Sequence, residues 1–320
     1  MLQPSDQLPC YNTLYYFSVN HIVMFNHKAS AGFYTWPKDW LHCSTSFEPK
    51  PTNPPSMNPN YLFVSWMDGI LGCETRDKPR NCYHWSRKEG TWKWTDLHAP
   101  MPEPFDRGDM VTNGQSVIST LRGRVAVLSS GNWSLEEEGQ ALADVRSQTL
   151  VWVSGLGVFC IGGKGPFPEG GRGIHSRVSL YSPSDKTWTQ KASLPVPLQR
   201  PSCSEVTFRG NRSVFCAHGD DDSKTNATFV VAVYTLANDS WTRLPDRIGN
   251  YLTHSLTHVY KEKIYFLGGR DVVENKEKNS VEYFDLQTEE WTANPEEPAP
   301  ALPEQSLSYS VVLTEEFYEI

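Results

Sequence analysis

The chain has 320 residues, with 29 Lys and Arg against 37 Asp and Glu, for a formal net charge of −8. It has no Lys/Arg-rich stripe, which disfavours nucleic acid and anionic membranes as ligands, because clustered cations hold both; nor does it have an apolar run of about 18 residues to span a bilayer. Hydrophobic residues at 38% allow a sizeable core, and 11 Trp, 14 Tyr and 14 Phe make the chain unusually aromatic.

The N-terminal stretch MLQPSDQLPCYNTLYYF has no basic segment leading into a long apolar run and does not read as a signal peptide. The expectation is a cytoplasmic protein with free thiols at Cys10, Cys43, Cys73, Cys82, Cys160, Cys203 and Cys216. The alternative is a secreted protein whose signal has been removed, with Cys73 and Cys82 stapling the loop between them. No C-x-x-C occurs, so no zinc site is expected.

Further along, short apolar runs recur, each ending in small or polar residues. They are HIVMFNHK from His21, LFVSWMDG from Leu62, VAVLSSGN from Val125, VFCIGGKG from Val158, VFCAHGDD from Val214 and IYFLGGRD from Ile264. Most are followed by an aromatic residue, a polar turn and a Trp: RVSLYSPSDKTWTQ from Arg177, VVAVYTLANDSWTR from Val230, SVEYFDLQTEEWTA from Ser280, and less exactly CYHWSRKEGTWKWTD from Cys82 and AGFYTWPKDWLHC from Ala31. The Trp residues at 40, 94, 188, 241 and 291 recur about every 50 residues, except for one double interval between 94 and 188. That gap predicts a degenerate third unit lacking its Trp near residue 141. A repeat of this length built of four short strands points to a propeller.

These residues, FLGG, YFDLQTEEWT, IGG and LYSPSDKTWT above all, resemble kelch repeats. The resemblance implies an all-β fold, a six-bladed β-propeller of kelch type with four-stranded antiparallel blades. The blades are expected at about 12–47, 60–97, 113–147 (degenerate), 148–192, 202–245 and 252–295, with a closing strand within 304–320, all in a single domain. By the same resemblance, Gly162, Gly163, Gly268 and Gly269 end second strands beside the channel. Tyr181, Tyr234 and Tyr283 sit on third strands, and Trp94, Trp188, Trp241 and Trp291 on fourth strands, packing between blades. The physics agrees, since stacked blades leave gaps that widen toward the rim and take large side chains.

Several stretches carry a chemical reading beside the structural one. VFCIGGKGPFPEGGRG, Val158 to Gly173, suggests a phosphate-cradling loop, but that motif needs G-x-x-x-x-G-K-[ST] leading into a helix. Here Lys164 is followed by Gly165 and Pro166, which predicts the loop between strands two and three of a blade. His254 and His258 have a metal-like spacing, yet they fall on an expected innermost strand. Arg107–Asp109 spells RGD in a linker between blades, and N-x-[ST] sequons occur at Asn132, Asn211, Asn226 and Asn238.

The expected function is a stand-alone interaction module or scaffold, a monomer without cofactor, metal or catalytic residues, binding a protein partner through loops on one face. Arg107, Arg172, His175, Arg200, Asp220, Asp221, Arg247 and Arg270 are its candidate contacts, the arginines suiting acidic peptides or carboxylates. The repeats are expected to fill the chain, leaving no stretch that reads as a BTB domain. The alternative is an enzyme or carbohydrate-handling protein with a site in the central channel, as in the kelch-fold sialic-acid epimerase or the copper-dependent galactose oxidase; no local motif carries either set of catalytic residues.

Overall fold

The computed structural model describes residues 21–25, 31–35, 61–67, 69–74, 80–88, 91–102, 109–121, 124–136, 145–221, 229–247, 252–253, 255–260, 262–271, 276–293 and 309–313. Every regular element among them is a strand. β1 (His21–Phe25) and β2 (Ala31–Thr35) form a hairpin. β3 (Tyr61–Trp66), β4 (Gly69–Glu74), β5 (Cys82–Lys88) and β6 (Thr91–Asp96) form an antiparallel meander. The next meander is β7 (Asp109–Thr112), β8 (Val117–Leu121), β9 (Arg124–Ser129) and β10 (Asn132–Glu136).

A third contains β11 (Thr149–Val153), β12 (Gly157–Ile161), β15 (Val178–Ser182) and β16 (Thr187–Lys191); the ribbon β13 (Lys164–Pro166) and β14 (Arg172–Ile174) lies in the loop between β12 and β15. A fourth contains β17 (Ser202–Phe208), β18 (Asn211–Ala217), β19 (Phe229–Thr235) and β20 (Ser240–Arg247). In the fifth, β21 (Leu252–Thr253) and β22 (Leu256–Tyr260) both pair with β23 (Lys263–Asp271), followed by β24 (Lys276–Asp285) and β25 (Trp291–Ala293). Finally β26 (Tyr309–Leu313) pairs with β1.

The first strands stand side by side around the centre: β3 against β7, β7 against β11, β11 against β17, and β17 against β22. Among the described residues this is an all-β propeller of antiparallel sheets with five blades, four of four strands and one of five, rather than the expected six. Among the described residues, the segment expected to form the first blade contributes β1 and β2, which join β26 in a three-stranded sheet. β26 neighbours both β22 and β3, so strands from the two ends of the chain meet between the last and first of these blades.

The third unit is not degenerate. Val117–Leu121 alternates like a first strand, but β7 precedes it through a four-residue turn, Asn113–Ser116, closed by the Asn113 N–H donating to Ser116 O. The run at Val125 is therefore a third strand, and β10 is the fourth. β10 carries Trp133, so no Trp is missing; the interval is short because only two residues, 122 and 123, connect β8 to β9. The same one-strand shift applies to LFVSWM, which is the innermost strand β3, while GILGCE is β4.

The core lies between blades. Leu62, Leu71, Met110, Val117 and Leu128 join the first two meanders, with Trp133 packed against them. Ile118, Val125, Leu150 and Val158 join the second to the third, with Trp188 alongside. Phe159, Leu198, Val214 and Tyr234 join the third to the fourth, with Trp241 alongside. Phe215, Val231, Ile264 and Phe284 join the fourth to the fifth, with Trp291 alongside. Each of these Trp residues packs back onto the preceding blade and is half-buried, not fully buried. Directly opposite the outer Trp on the neighbouring strand stand Trp85 (Trp94), Tyr181 (Trp188), Tyr234 (Trp241) and Phe284 (Trp291). The repeat position in the last blade is thus Phe284, not Tyr283. Adjacent strand residues face opposite ways, and Tyr283 stacks instead on Tyr265, with Lys263 4.2 Å from its ring.

Cysteines correct another expectation. Cys73 is bonded to Cys82, and Cys203 to Cys216. Both pairs sit directly opposite each other on adjacent antiparallel strands, with Cα atoms 4.1 and 4.2 Å apart. That close cross-strand spacing brings the two sulfurs of each pair together. Cys160 is a buried free thiol, and Cys10 and Cys43 lie outside the described residues.

Candidate partner-binding face

A four-stranded meander puts its first and third connections at one end and its second connection and exit at the other. Here the first and third connections are tight: Ser130–Gly131 and Arg209–Gly210 are two-residue turns with positive φ at both positions (51° and 78°, 49° and 73°). This is the geometry that matches strand twist. Arg209 makes a bidentate bond to Glu289 of the following blade at 2.6 and 2.7 Å, tying the turns of two blades on this side. Apart from the two-residue β8–β9 connection, the opposite side holds the longer connections, including the ribbon β13–β14 and the linkers between blades.

Those longer connections are pinned to one another. Arg146, in the linker before β11, pairs with Lys164 after β12 through backbone bonds of 2.9 and 2.7 Å. One blade on, Gln199 pairs with Asp220 in the same way, both bonds 2.9 Å, and its side chain adds a 2.6 Å bond to the Asp220 carboxylate. The Arg200 N–H donates to Ser147 O at 2.9 Å, and both residues have left-handed backbones (φ 51° and 57°) at equivalent linker positions. Gly163 N–H donates to Leu198 O, and His175 N–H to Gly163 O, each at 2.8 Å. The loop face is therefore a bonded lattice, the kind of rigid support that suits binding groups.

Of the expected contacts, Arg172 is exposed on β14. His175 is half-buried with its ring 4.7 Å from Phe167. Burial is the main cause holding its pKa below the usual histidine value, against the opposing hydrogen bond with Gly165. Arg200, Asp220 and Asp221 are half-buried on the same face. Arg247 ends β20 opposite Phe229, and Arg270 lies in β23 opposite Glu277; their side chains, and all of Arg107, lie outside the described residues. The structure adds Arg146, Lys164 and Arg177 to this face. Arg177 donates to the neutral Gln190 side chain at 2.9 Å. Gln148 is 8% exposed, and its Nε2, like His175 Nε2, is buried without a hydrogen-bond partner among the described residues. The first two of these added residues were legible only through the linker-to-loop pairing, which sequence spacing does not reveal.

The glycine-rich stretch is the second-to-third-strand loop, as expected: Lys164 opens β13 opposite Ile174, and the next elements are strands. Gly162 and Gly163 follow β12 with positive φ (65° and 105°), whereas β23 runs on through Gly268 and Gly269, with a register shift between Leu267 and Gly269. The RGD aspartate is structural. Asp109 is half-buried as a residue, but its carboxylate is enclosed, accepting from Met110 N–H at 2.9 Å and from Leu150 N–H of the next blade at 3.1 Å. His258 is buried on β22 opposite Tyr265, and His254 lies outside the described residues. Among the described residues no three His, Cys, Asp or Glu side chains are grouped to hold a metal, and no helix is long and apolar enough to cross a membrane.

These two buried groups give opposite pH dependences. Burial pushes Asp109 up to about 6, so its favourable contribution is present below its unfolded value of 3.8 and is lost as pH rises through about 6. Burial holds His258 at about 4, so its contribution is present above 6.5 and is lost as pH falls toward 4. Each shift corresponds to ~3 kcal/mol. Urea titrations of His258→Leu across pH 4–7 are expected to show a shallower loss of stability on the acid side than the parent protein. Parallel curves would mean that His258 is hydrated in the folded state.

Comparison with known proteins agrees with this architecture. The Kelch motif family matches residues 253–293, which coincide with the blade β21–β25. The chain therefore contains a kelch repeat in this blade. The chain is similar to the Kelch-like protein terF of Aspergillus terreus, 28% identical over 165 residues, 48% of this chain and 35% of that protein. It is also similar to alpha-scruin of Limulus polyphemus, 37% identical over 130 residues, 39% of this chain and 14% of that protein. The chain thus spans well under half the length of either relative. In the last three blades an aromatic residue stands opposite the outer Trp, Tyr181 to Trp188, Tyr234 to Trp241 and Phe284 to Trp291.

Proposed function

We propose that this kelch-repeat protein is an interaction module that binds an acidic segment of a protein partner across its loop face, as a monomer. The observation that carries this reading is the contrast between the two faces. One has short hairpin turns; the other gathers Arg146, Lys164, Arg172, His175, Arg177 and Arg200 on connections locked together by Arg146–Lys164 and Gln199–Asp220 pairing. A planar guanidinium fork recognises carboxylates with paired hydrogen bonds, and a surface already ordered loses little entropy on binding. The two cross-strand disulfides favour an oxidising compartment over the cytoplasm for this module.

The test is capture of proteins from native extract by the immobilised chain. Arg172→Glu with Arg200→Glu is expected to abolish capture while unfolding stays unchanged, and Ala237→Glu, an exposed position in the β19–β20 turn, is expected to leave capture intact. Equal behaviour of the two sets of variants would overturn the assignment of the face.

A further inference from the structure

We propose that the tight-turn face is N-glycosylated at Asn132, Asn211 and Asn238, so that glycans cover one side of the propeller and leave the loop face bare. The proposal rests on the oxidising compartment inferred above. All three asparagines are exposed. Asn132 opens β10 directly after the Ser130–Gly131 turn, and Asn211 opens β18 directly after the Arg209–Gly210 turn. Their side chains make the same local bond, Nδ2 donating to the carbonyl of the first turn residue: Ser130 O at 3.4 Å and Arg209 O at 3.1 Å. Asn238 lies in the turn between β19 and β20. These are first or third connections of meanders, which place all three on the same side. The fourth sequon, at Asn226, lies outside the described residues.

The sequon supplies the chemistry, with a hydroxyl two residues beyond the asparagine, at Ser134, Ser213 and Ser240. The co-reactant is an oligosaccharide linked to a polyprenyl pyrophosphate. Asn Nδ2 attacks the anomeric carbon and loses one amide proton; the N-glycosidic bond forms as the bond from that carbon to the pyrophosphate oxygen breaks, and the lipid pyrophosphate leaves. Transfer to the unfolded chain accounts for Ser213, which is buried after folding with its hydroxyl donating to Asn211 O at 3.2 Å. The folded structure must only leave room for the sugar, and exposed hairpin tips do so without displacing any strand.

Protein recovered from its own cells would be treated with peptide-N-glycosidase F in heavy-oxygen water and mapped by mass spectrometry, with thiols counted on the same sample. The expected result is conversion of Asn132, Asn211 and Asn238 to labelled Asp, with Cys73, Cys82, Cys203 and Cys216 blocked as disulfides. Unconverted asparagines beside intact disulfides would overturn the glycan proposal and leave the compartment reading standing. Unconverted asparagines beside free thiols would overturn both. As a second measurement, the chain secreted from animal cells is expected to lose one glycan step on a gel for each of Asn132→Gln, Asn211→Gln and Asn238→Gln; no change with any of them would also overturn the proposal.

Discussion

Gly162→Ala is expected to destabilise the fold by on the order of 3–5 kcal/mol, combining left-handed backbone strain with displaced backbone. Gly162 has φ +65°, and a Cβ there would lie 2.1 Å from Leu198 O in the linker to the next blade. A carbonyl fixed in a linker cannot swing aside as the tip of a side chain can. Its neighbour Gly163 (φ +105°) meets the linker from the preceding blade: its Cβ would lie 2.7 Å from Val145 Cγ1 and Gln148 Cγ, and 2.8 Å from Arg146 O. The glycine pair is therefore where one blade touches the linkers on both sides. Gly170 is the control, since its φ is +101° but nothing lies within 4 Å of the added Cβ. Gly170→Ala is expected to cost only ~1–2 kcal/mol. Urea unfolding of the two variants separates strain from packing; equal losses would show that the linker contact contributes nothing.

Trp241→Ala is expected to cost about 3–4 kcal/mol, near the lower end for a large aromatic because the ring is half-buried. Trp241 packs on the cluster that joins two blades, its ring centroid 5.3 Å from that of Tyr234, and its Nε1–H donates to Ala192 O of the preceding blade at 2.8 Å. Tyr234 is fixed in turn by donating to Asp239 at 2.5 Å, and Asp239 also accepts from Ala192 N–H at 2.9 Å. Trp241→Phe is expected to retain most of the packing and lose ~1 kcal/mol, the net value of one hydrogen bond. Thermal unfolding of both variants gives the comparison. A Phe variant as unstable as the Ala variant would place the energy in the bond to Ala192 rather than in the ring.

The aspartate of the RGD stretch illustrates how position overrides motif. The sequence presents an exposed-looking Arg-Gly-Asp in a polar linker, yet Asp109 begins the innermost strand β7, and its carboxylate satisfies a backbone N–H of the neighbouring blade. A buried backbone donor left without an acceptor is costly, so this carboxylate is committed to the ring. Nothing within three residues could reveal that, because the donor, Leu150, is 41 positions away.

By itself the sequence determined what depends on local pattern. Alternation of apolar residues set the strands, Gly-rich and polar runs set their ends, and the recurring Trp set the unit length, because each blade must bring one large ring to the gap behind it. The glycine-rich segment from Lys164 on was legible as a loop for the same reason: Gly-Pro after Lys164 cannot start a helix. What only the tertiary structure decided depends on which strand pairs with which. A short apolar run does not declare whether it is a first, second or third strand, so the shift that makes β7–β10 a complete blade, with Trp133 as its outer ring, follows from pairing across the Asn113–Ser116 turn. A one-residue step in register reverses the side a residue faces, which is why Phe284 rather than Tyr283 stands opposite Trp291. Register likewise brought Cys73 to Cys82 and Cys203 to Cys216. The loop face took form in the same way, from linkers of one blade bonding to loops of the next, contacts that exist only once the sheets stand side by side.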